Sequence, residues 1–311
     1  MQMNEFGLIG KYFSWPSNQS SVELSVGDDA AVLNVEGGYQ IVTSIDTLIA
    51  GVHFPQNTAA ADIAYKALAV NLSDLAAMGA IPKYFTLALT IPEVDVHWLE
   101  GFSRSLRKLS EKFGVSLIGG DTTKGPLSIT ISIIGWVENN TALMRSQAQI
   151  GDGVFVSNSI GDAALALLQL NSDHSVDAHC LQRLNRPYPQ VELGRSLRGV
   201  ASACIDISDG LEQDLSHILT SSRVGATIEV EKLPISQASA EHVRQQNDYT
   251  LALNGGDDYE LCFTVPKQNQ AALAGISKCC GVNITQIGVI CESAGLEIVG
   301  VKSAGSSYQH F

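Results

Sequence analysis

Residues Leu117–Trp136 read LIGGDTTKGPLSITISIIGW, and the two halves of this stretch point to the fold. The first half is an apolar run that stops at Gly119 and Gly120, followed by Asp121, two threonines and Lys124. In the second half Leu127, Ile129, Ile131 and Ile133 alternate with Ser128, Thr130 and Ser132. Clean alternation predicts a sheet with one buried face and one wetter face. Glycines after a strand let backbone N–H groups approach a phosphate, yet the next residue here is an acid. The other acids of the chain explain why.

Outward from this stretch, strand and helix signals take turns. Gln40–Ile45 is a short β-branched run that stops at Asp46. Ala60–Met78 has helical composition, with Ile63, Ala67, Val70 and Met78 on one face and Gly79 as a stop. Tyr84–Ile91 reads as a strand closed by Pro92. Trp98, Phe102, Leu106, Leu109 and Phe113 recur at helical steps and end at Gly114. After the polar Glu138-Asn139-Asn140 the alternation restarts. Strand DGVFVSN is followed by helices over Asp162–Leu170 and Val191–Val200, strand ACIDI and helix DGLEQDLSHIL. Further strands are expected in GATIEVEKL, YTLALN, YELCFTV and ITQIGVI. The expectation is two α/β domains with mixed sheets, residues 1–137 and 138–311.

Composition sets the bounds. With 311 residues, 45% apolar and 16% charged, the chain reads as a folded globular protein with room for two cores. A net charge of −13 argues against nucleic acid or an anionic membrane as partner, since both need clustered Lys and Arg. The six cysteines, from Cys180 onward, form no CxxC pair and read as reduced core thiols. MQMNEFGLIGKYF lacks the layout of a signal peptide, and no apolar run nears the roughly 18 residues of a membrane span. A soluble, cytoplasmic protein is expected.

The acids cluster in one kind of context. Asp28 and Asp29 lie in VGDDAAV, Asp46 follows IVTSI, Asp121 follows LIGG, and Asp206 and Asp209 lie in ACIDISDG. Asp257 and Asp258 follow Asn254-Gly255-Gly256, while Asp74 lies in the helical NLSDLAAMGA with Asn71 on its face. Strand ends in α/β folds are where ligands bind. A lone acid there commonly forms a turn or a helix N-cap, and Asp152 and Asp162 fit that role. A convergent set is different, because two unit charges at about 4 Å repel by roughly 4 kcal/mol at an effective dielectric near 20. Carboxylate oxygens in such a set call for Mg²⁺. Anion and carboxylate are then compatible, with the metal bridging Asp121 to a phosphate held by the glycine amides. GxxxxGK[ST], helix-opening GxGxxG, GxSxG and HExxH are all absent. His53, in AGVHFP, is either a structural loop histidine or a ligand contact. Arg145, in TALMRSQA, is either a surface residue or a phosphate contact.

EFGLI, GDDAAV, SIDTLIAGVHF, DIAYKALAVNLSDLAAMGA, LIGGDTTKGPLSITI, RSQAQIGD, IDISDGL and NGGDDYELCF, in that order, span nearly the whole chain. Through them the sequence resembles the thiamine-monophosphate kinase family, within the superfamily typified by aminoimidazole ribonucleotide synthetase. The resemblance implies transfer of the γ-phosphoryl of ATP to thiamine monophosphate, giving thiamine diphosphate and ADP. It implies a homodimer whose N-terminal domains build a shared β-barrel. By position, Asp29, Ser44, Asp46, Asp74, Asp121, Asp206 and Asp209 match Mg²⁺ contacts. Gly120, Asp121, Arg145 and Ser208 match contacts to ATP, and His53 and Asp257 match contacts to thiamine monophosphate.

Three positions depart from the family pattern. Ile45 stands where Thr is usual between Ser44 and Asp46, Asp257 stands where Glu is common, and the C-terminal aromatic before His310-Phe311 is missing from its place, with Tyr308 nearby. No general base is needed, since a phosphate monoester with a second pKa near 6 is already mostly dianionic at neutral pH. Direct in-line transfer is therefore expected. One alternative is another ATP-dependent synthetase of the superfamily. Selenophosphate synthetase would carry Cys or selenocysteine near the N-terminus and a hydrogenase-maturation relative a terminal Cys; here the first cysteine is Cys180 and the chain closes on Phe311. The other alternative, a non-catalytic Mg²⁺- or Ca²⁺-binding protein, lacks EF-hand spacing and leaves the glycine pairs unexplained.

Overall fold

A computed structural model of the chain describes residues 11–16, 20–24, 32–33, 37–172, 175–246 and 248–300. Its backbone falls into two units, Met1–Leu75 with Ala80–Asn140, and Ala76–Gly79 with Thr141–Phe311. The first unit begins with a short antiparallel pair, β1 (Val22–Leu24) and β2 (Val32–Leu33). There follow β3 (Tyr39–Ile49), α1 (Ala60–Ala77), β4 (Ile81–Ile91), α2 (Val96–Phe113), β5 (Ser116–Lys124) and β6 (Ser128–Glu138). The four long strands form one sheet in the order β3-β6-β4-β5, antiparallel except for β4 beside β5. Helix α2 is the crossover that a parallel pair requires. Among the described residues of the single chain this sheet is open at β3 and β5 and does not close into a barrel.

The alternation in β6 is realised as expected. Ile129, Ile131 and Ile133 are fully buried, while Ser128, Thr130 and Ser132 are half-buried on the other side. Two strands run further than their apolar runs suggested. β3 continues through Asp46 to Ile49, and β5 continues through Asp121 to Lys124, so these acids sit inside strands rather than at their ends. Both are held by pairing on one side, Asp46 opposite Ile131 and Asp121 opposite Ala88.

Helix α2 starts and stops where its sequence directs. The Asp95 side chain accepts the N–H groups of His97 and Trp98, and Gly114 closes the helix at φ 62°. Leu99, Phe102, Leu106 and Leu109 form its buried stripe. Helix α1 is not amphipathic in the expected way. Ile63, Ala64, Ala67, Leu68, Ala69, Val70, Leu72 and Leu75 are all buried, as in a helix surrounded by protein. It ends at Ala77, one residue before Met78.

The second unit comprises β7 (Gly153–Ser157), α3 (Asp162–Leu170), α4 (Ala178–Asn185), α5 (Val191–Leu197), β8 (Ala203–Asp206), α6 (Leu211–Ser222), β9 (Gly225–Glu229), α7 (Gln237–Gln246), α8 (Thr250–Asn254), β10 (Leu261–Val265), α9 (Leu273–Cys280), β11 (Ile284–Cys291) and β12 (Gly295–Val299). Its six strands form a mixed sheet, β12-β9-β11-β7-β10-β8, whose one parallel pair is β9 with β12. Val154, Val156, Ile205, Ile228, Cys262 and Ile290 pack from this sheet against Leu211, Leu215 and Ile218 of α6.

YTLALN is helix α8, not a strand. Asp248 accepts the N–H of Thr250, and the N–H of Leu253 returns to the Tyr249 carbonyl. The alternation of Leu251 and Leu253 mimics a strand, and five residues are too few to show a helical period. Asp162 is not a helix cap either. Gly161 holds that position, and the fully buried Asp162 carboxylate accepts from the hydroxyls of Ser159 (2.7 Å), Ser236 (2.5 Å) and Ser239 (2.7 Å).

Beside it lies a second buried acid network. Arg183 donates to Glu260 Oε1 at 2.8 Å and to the Asp258 carbonyl at 3.2 Å. Ser157 donates to Glu260 Oε2 at 2.5 Å, and the Gly161 N–H is shared by both Asp258 oxygens at 2.9 and 3.0 Å. Burial pushes both carboxyls up; the Arg183 charge opposes it first, followed by the Gly161 N–H at Asp258 and the Ser157 and Asn158 side chains at Glu260. Removing one partner of such a pair leaves an uncompensated charge and costs about 3–5 kcal/mol. Arg183→Met should therefore lower unfolding free energy by about that amount in urea titrations. Without Arg183, the folded-state pKa of Glu260 lies still further above its unfolded value. The folded state then binds more protons between those two values, so the deficit shrinks as pH falls through the folded pKa. The loss should be larger at pH 8 than at pH 5.

Candidate active site

Each unit assembles part of the expected site. In the first, Ser44 and Asp46 share one face of β3, opposite Ile133 and Ile131 of β6. Ser44 and Asp46 project toward Asp74 of the buried helix α1. The Ser44 hydroxyl donates to Asp74 Oδ2 at 2.5 Å. Burial first, then the charge and hydrogen bond of Asp74, push the Asp46 carboxyl up to about 7. One helical turn before Asp74, the fully buried Asn71 donates to the Ala67 carbonyl at 3.0 Å, and its Oδ1 has no hydrogen-bond partner among the described residues. Hydroxyl, carboxylate and amide oxygens are hard donors. This is the chemistry that Mg²⁺ accepts, and burial beside Asp74 disfavours a second negative charge there.

Asp121 is exposed and lies on β5, three strands from β3, or about 14 Å at ordinary strand spacing. It falls in the row of Ala88, Thr130 and Thr47, one residue off the row that holds Asp46, so its side chain stands on the opposite face of the sheet and the strand pairing does not bring it to Asp46 and Asp74. Gly120, in the Asp46 row, answers a demand of packing. A Cβ there would lie 1.9 Å from the Leu87 carbonyl oxygen. With Gly119, Asp121, Thr122, Leu87, Leu117 and Phe13 it lines a small cavity of about 40 Å³. His53 stands in the turn after β3, where Nδ1 accepts the Ile49 N–H at 3.0 Å. That bond assigns the proton of the neutral ring to Nε2, which makes Nε2–H the donor. Asp29 lies outside the described residues.

In the second unit Asp206 ends β8 as its sequence suggested, and is buried. Ser208 and Asp209 follow in the loop before α6, and Gln213 donates to Asp209 Oδ2 at 2.9 Å. Asp257 takes the left-handed backbone at φ 61°, its N–H bonded to the Ser208 carbonyl at 2.8 Å and its Oδ1 accepting from the Tyr259 hydroxyl at 3.0 Å. Arg145 is exposed, and its carbonyl accepts from Ser222. Asp214, whose carboxylate grips the backbone of the Ser208–Gly210 loop, belongs to no motif in the sequence. The only available signal is its position four residues after Gly210 in DGLEQD. Among the described residues, no three His, Cys, Asp or Glu side chains gather closely enough to hold a metal ion on their own.

Comparison with known proteins gives this geometry a context. The model of "AIR synthase related protein, N-terminal domain" matches residues 27–137, and that of the corresponding C-terminal domain matches residues 149–301. The thiamine-monophosphate kinase of Salmonella typhimurium strain LT2 is 50% identical over 294 residues, covering 93% of this chain and 90% of that protein. The chain belongs to the thiamine-monophosphate kinase family. The crystal structure of the thiamine-monophosphate kinase from Stenotrophomonas maltophilia K279a superposes with a TM-score of 0.86 at 42% identity, over 92% of this chain and 93% of that one. AaThiL complexed with AMPPCP and TMP superposes at 0.79 with 29% identity, over 99% and 97%. The fold is thus the two-domain, mixed-sheet α/β fold of this family. No helix among the described residues is long and apolar enough to cross a membrane.

The Gly120 contact makes a testable demand on the site. Gly120→Ala forces β4 and β5 apart at Leu87, an overpacking that should cost about 1–3 kcal/mol in urea unfolding. Gly119→Ala, whose added methyl meets only the Thr86 side chain at 4.0 Å, should cost less.

Proposed function

We propose that this chain is an ATP-dependent thiamine-monophosphate kinase, transferring the γ-phosphoryl of ATP directly to the phosphate of thiamine monophosphate. The observation that carries the reading is 50% identity over 93% of the chain to a protein named for that activity. The AaThiL complex with AMPPCP and TMP supports the same pair of co-substrates. The hydroxyl–carboxyl cluster of Ser44, Asp46 and Asp74 supports a divalent cation in the site.

In this reading Asp29, Ser44, Asp46, Asp74, Asp121, Asp206 and Asp209 hold Mg²⁺. When bound, the metal neutralises charge on the phosphates, the service phosphoryl transfer most needs from its environment. Gly120, Arg145 and Ser208 contact ATP together with Asp121. His53 offers its Nε2–H and Asp257 its carboxylate to the acceptor side. Asp257 is fixed from two directions, by its backbone N–H and by Tyr259, which suits a carboxylate one methylene shorter than the Glu common in the family. No side chain acts as general acid or base, because the acceptor oxygen already carries its charge near neutral pH. What the protein supplies is position.

The domains are proposed as residues 1–137 for metal, ATP and dimerisation and 138–311 for the second α/β domain. The edge strand β3 supports a homodimer with a shared barrel. Ile41, Ile45 and Ile49 stand on one face, 56%, 64% and 41% exposed, a row of apolar side chains that a second copy would cover. Six free cysteines support a reducing, cytoplasmic setting.

A coupled assay of ADP release should show turnover with thiamine monophosphate and Mg²⁺, and none with free thiamine or without the metal. ADP release that ignores thiamine monophosphate would exclude the assignment. Asp121→Asn should abolish turnover at an unchanged unfolding midpoint, and near-normal activity would remove Asp121 from the metal set. Inversion of configuration is expected at a chiral γ-phosphorus; retention would require a phosphoenzyme.

A further inference from the structure

The loop that carries Ser208 and Asp209 is held from behind by one carboxylate. Asp214, on the first turn of α6 and only 3% exposed, accepts through Oδ2 the backbone N–H of Ser208 at 2.9 Å, of Asp209 at 3.1 Å and of Gly210 at 3.2 Å. An ordinary helix cap satisfies one or two amides with a side chain placed ahead of the helix. Here the acid lies inside the helix, its own N–H bonded to the Gly210 carbonyl at 2.9 Å, and its oxygen reaches back to fix three consecutive peptide groups. Gly210, at φ 120°, makes the turn that brings those amides together.

The gripped loop is joined in turn to the segment bearing Asp257. The Ser208 carbonyl accepts the Asp257 N–H, the Ile207 carbonyl accepts the Tyr259 N–H, and the Ile207 N–H donates to the Glu260 carbonyl, each at 2.8 Å. The approach is tight, since a Cβ on Gly256 would sit 2.6 Å from the Ser208 oxygen. Asp257 and Tyr259 both adopt left-handed backbone, at φ 61° and 51°, a conformation that persists in non-glycine residues when the surroundings dictate it.

We propose that Asp214 is a positioning residue for phosphoryl transfer: its carboxylate sets the Ser208–Gly210 loop and, through the Ser208 carbonyl, the placement of Asp257. The inference rests on the kinase reading, which gives Ser208 and Asp209 to ATP and metal and Asp257 to the acceptor. One buried side chain then registers the donor side against the acceptor side, although it touches neither. A purely electrostatic role at the helix N-terminus would require charge but no particular oxygen position.

Amide hydrogen exchange and steady-state kinetics on the full chain separate these roles. In Asp214→Ala the amides of Ser208, Asp209 and Gly210 should exchange at least about tenfold faster, as freed local donors do. Its kcat should fall by about a hundredfold, the scale of a displacement near 1 Å, and by more than either KM rises. Asp214→Asn keeps an acceptor oxygen and should return kcat to within about tenfold of the parent chain. Asp214→Glu keeps the charge but moves the oxygen, and should lose kcat even if the alanine variant does not fold. Unchanged exchange in the alanine variant, faster exchange with kcat preserved, an asparagine variant no better than alanine, or a fully active glutamate variant would each overturn the proposal. The exchange measurement needs no substrate, so it decides the grip on the loop even if the ADP assay contradicts the kinase reading.

Discussion

Asp46 and Asp74 meet across the gap between a strand and a buried helix, and that contact is the constraint on which the account rests. Two carboxyls so close, with Ser44 donating to one of them, cannot both carry full charge at low cost in a partly desolvated place. The fold keeps them there regardless. Asp46 is locked by strand pairing to Ile131, and Asp74 rides on a helix whose apolar residues are buried nearly all round. A fold that spends stability to hold acids together leaves a place where a divalent cation gains what the acids lack. In the proposed reading that cation is Mg²⁺, and the same charge lets two phosphates approach one another.

The second unit handles its acids in a different way. Glu260 is compensated by Arg183 and by Ser157, Asp258 by the Gly161 amide, and Asp162 by three serine hydroxyls. These carboxylates have protein groups as their partners and tie loops and helices of the unit together. Asp214 belongs with them by burial, yet its partners are the amides of a loop assigned to ligand. The contrast separates acids that organise the backbone from the acids that the proposed reading gives to a cation.

Much of this was legible in the sequence, and the exceptions have physical causes. The β6 alternation, the α2 stripe and its closure at Gly114 follow directly from period and glycine chemistry. The full length of β3 was hidden because an acid facing a helix breaks the apolar run, although the pairing with β6 continues beneath it. Helix α8 reads as a strand because leucines two apart fit either period over five residues. Asp214 carries no sequence signal, since its partners are peptide groups, which look the same in every sequence. That Asp46 and Asp74 lie together could not be read from spacing alone, 28 positions apart. Family resemblance, not periodicity, placed them in one set.

A crystal structure of the chain with Mn²⁺ in place of Mg²⁺, a non-hydrolysable ATP analogue and thiamine monophosphate, with anomalous scattering to locate the metal, decides whether Asp46 and Asp74 bind it. Manganese peaks within coordinating distance of carboxylate oxygens of Asp46 and Asp74, on ions that also touch the nucleotide phosphates, are the expected result. Metal bound to the phosphates alone, with Asp46 and Asp74 still sharing a hydrogen bond away from it, would mean that these two acids are not metal ligands.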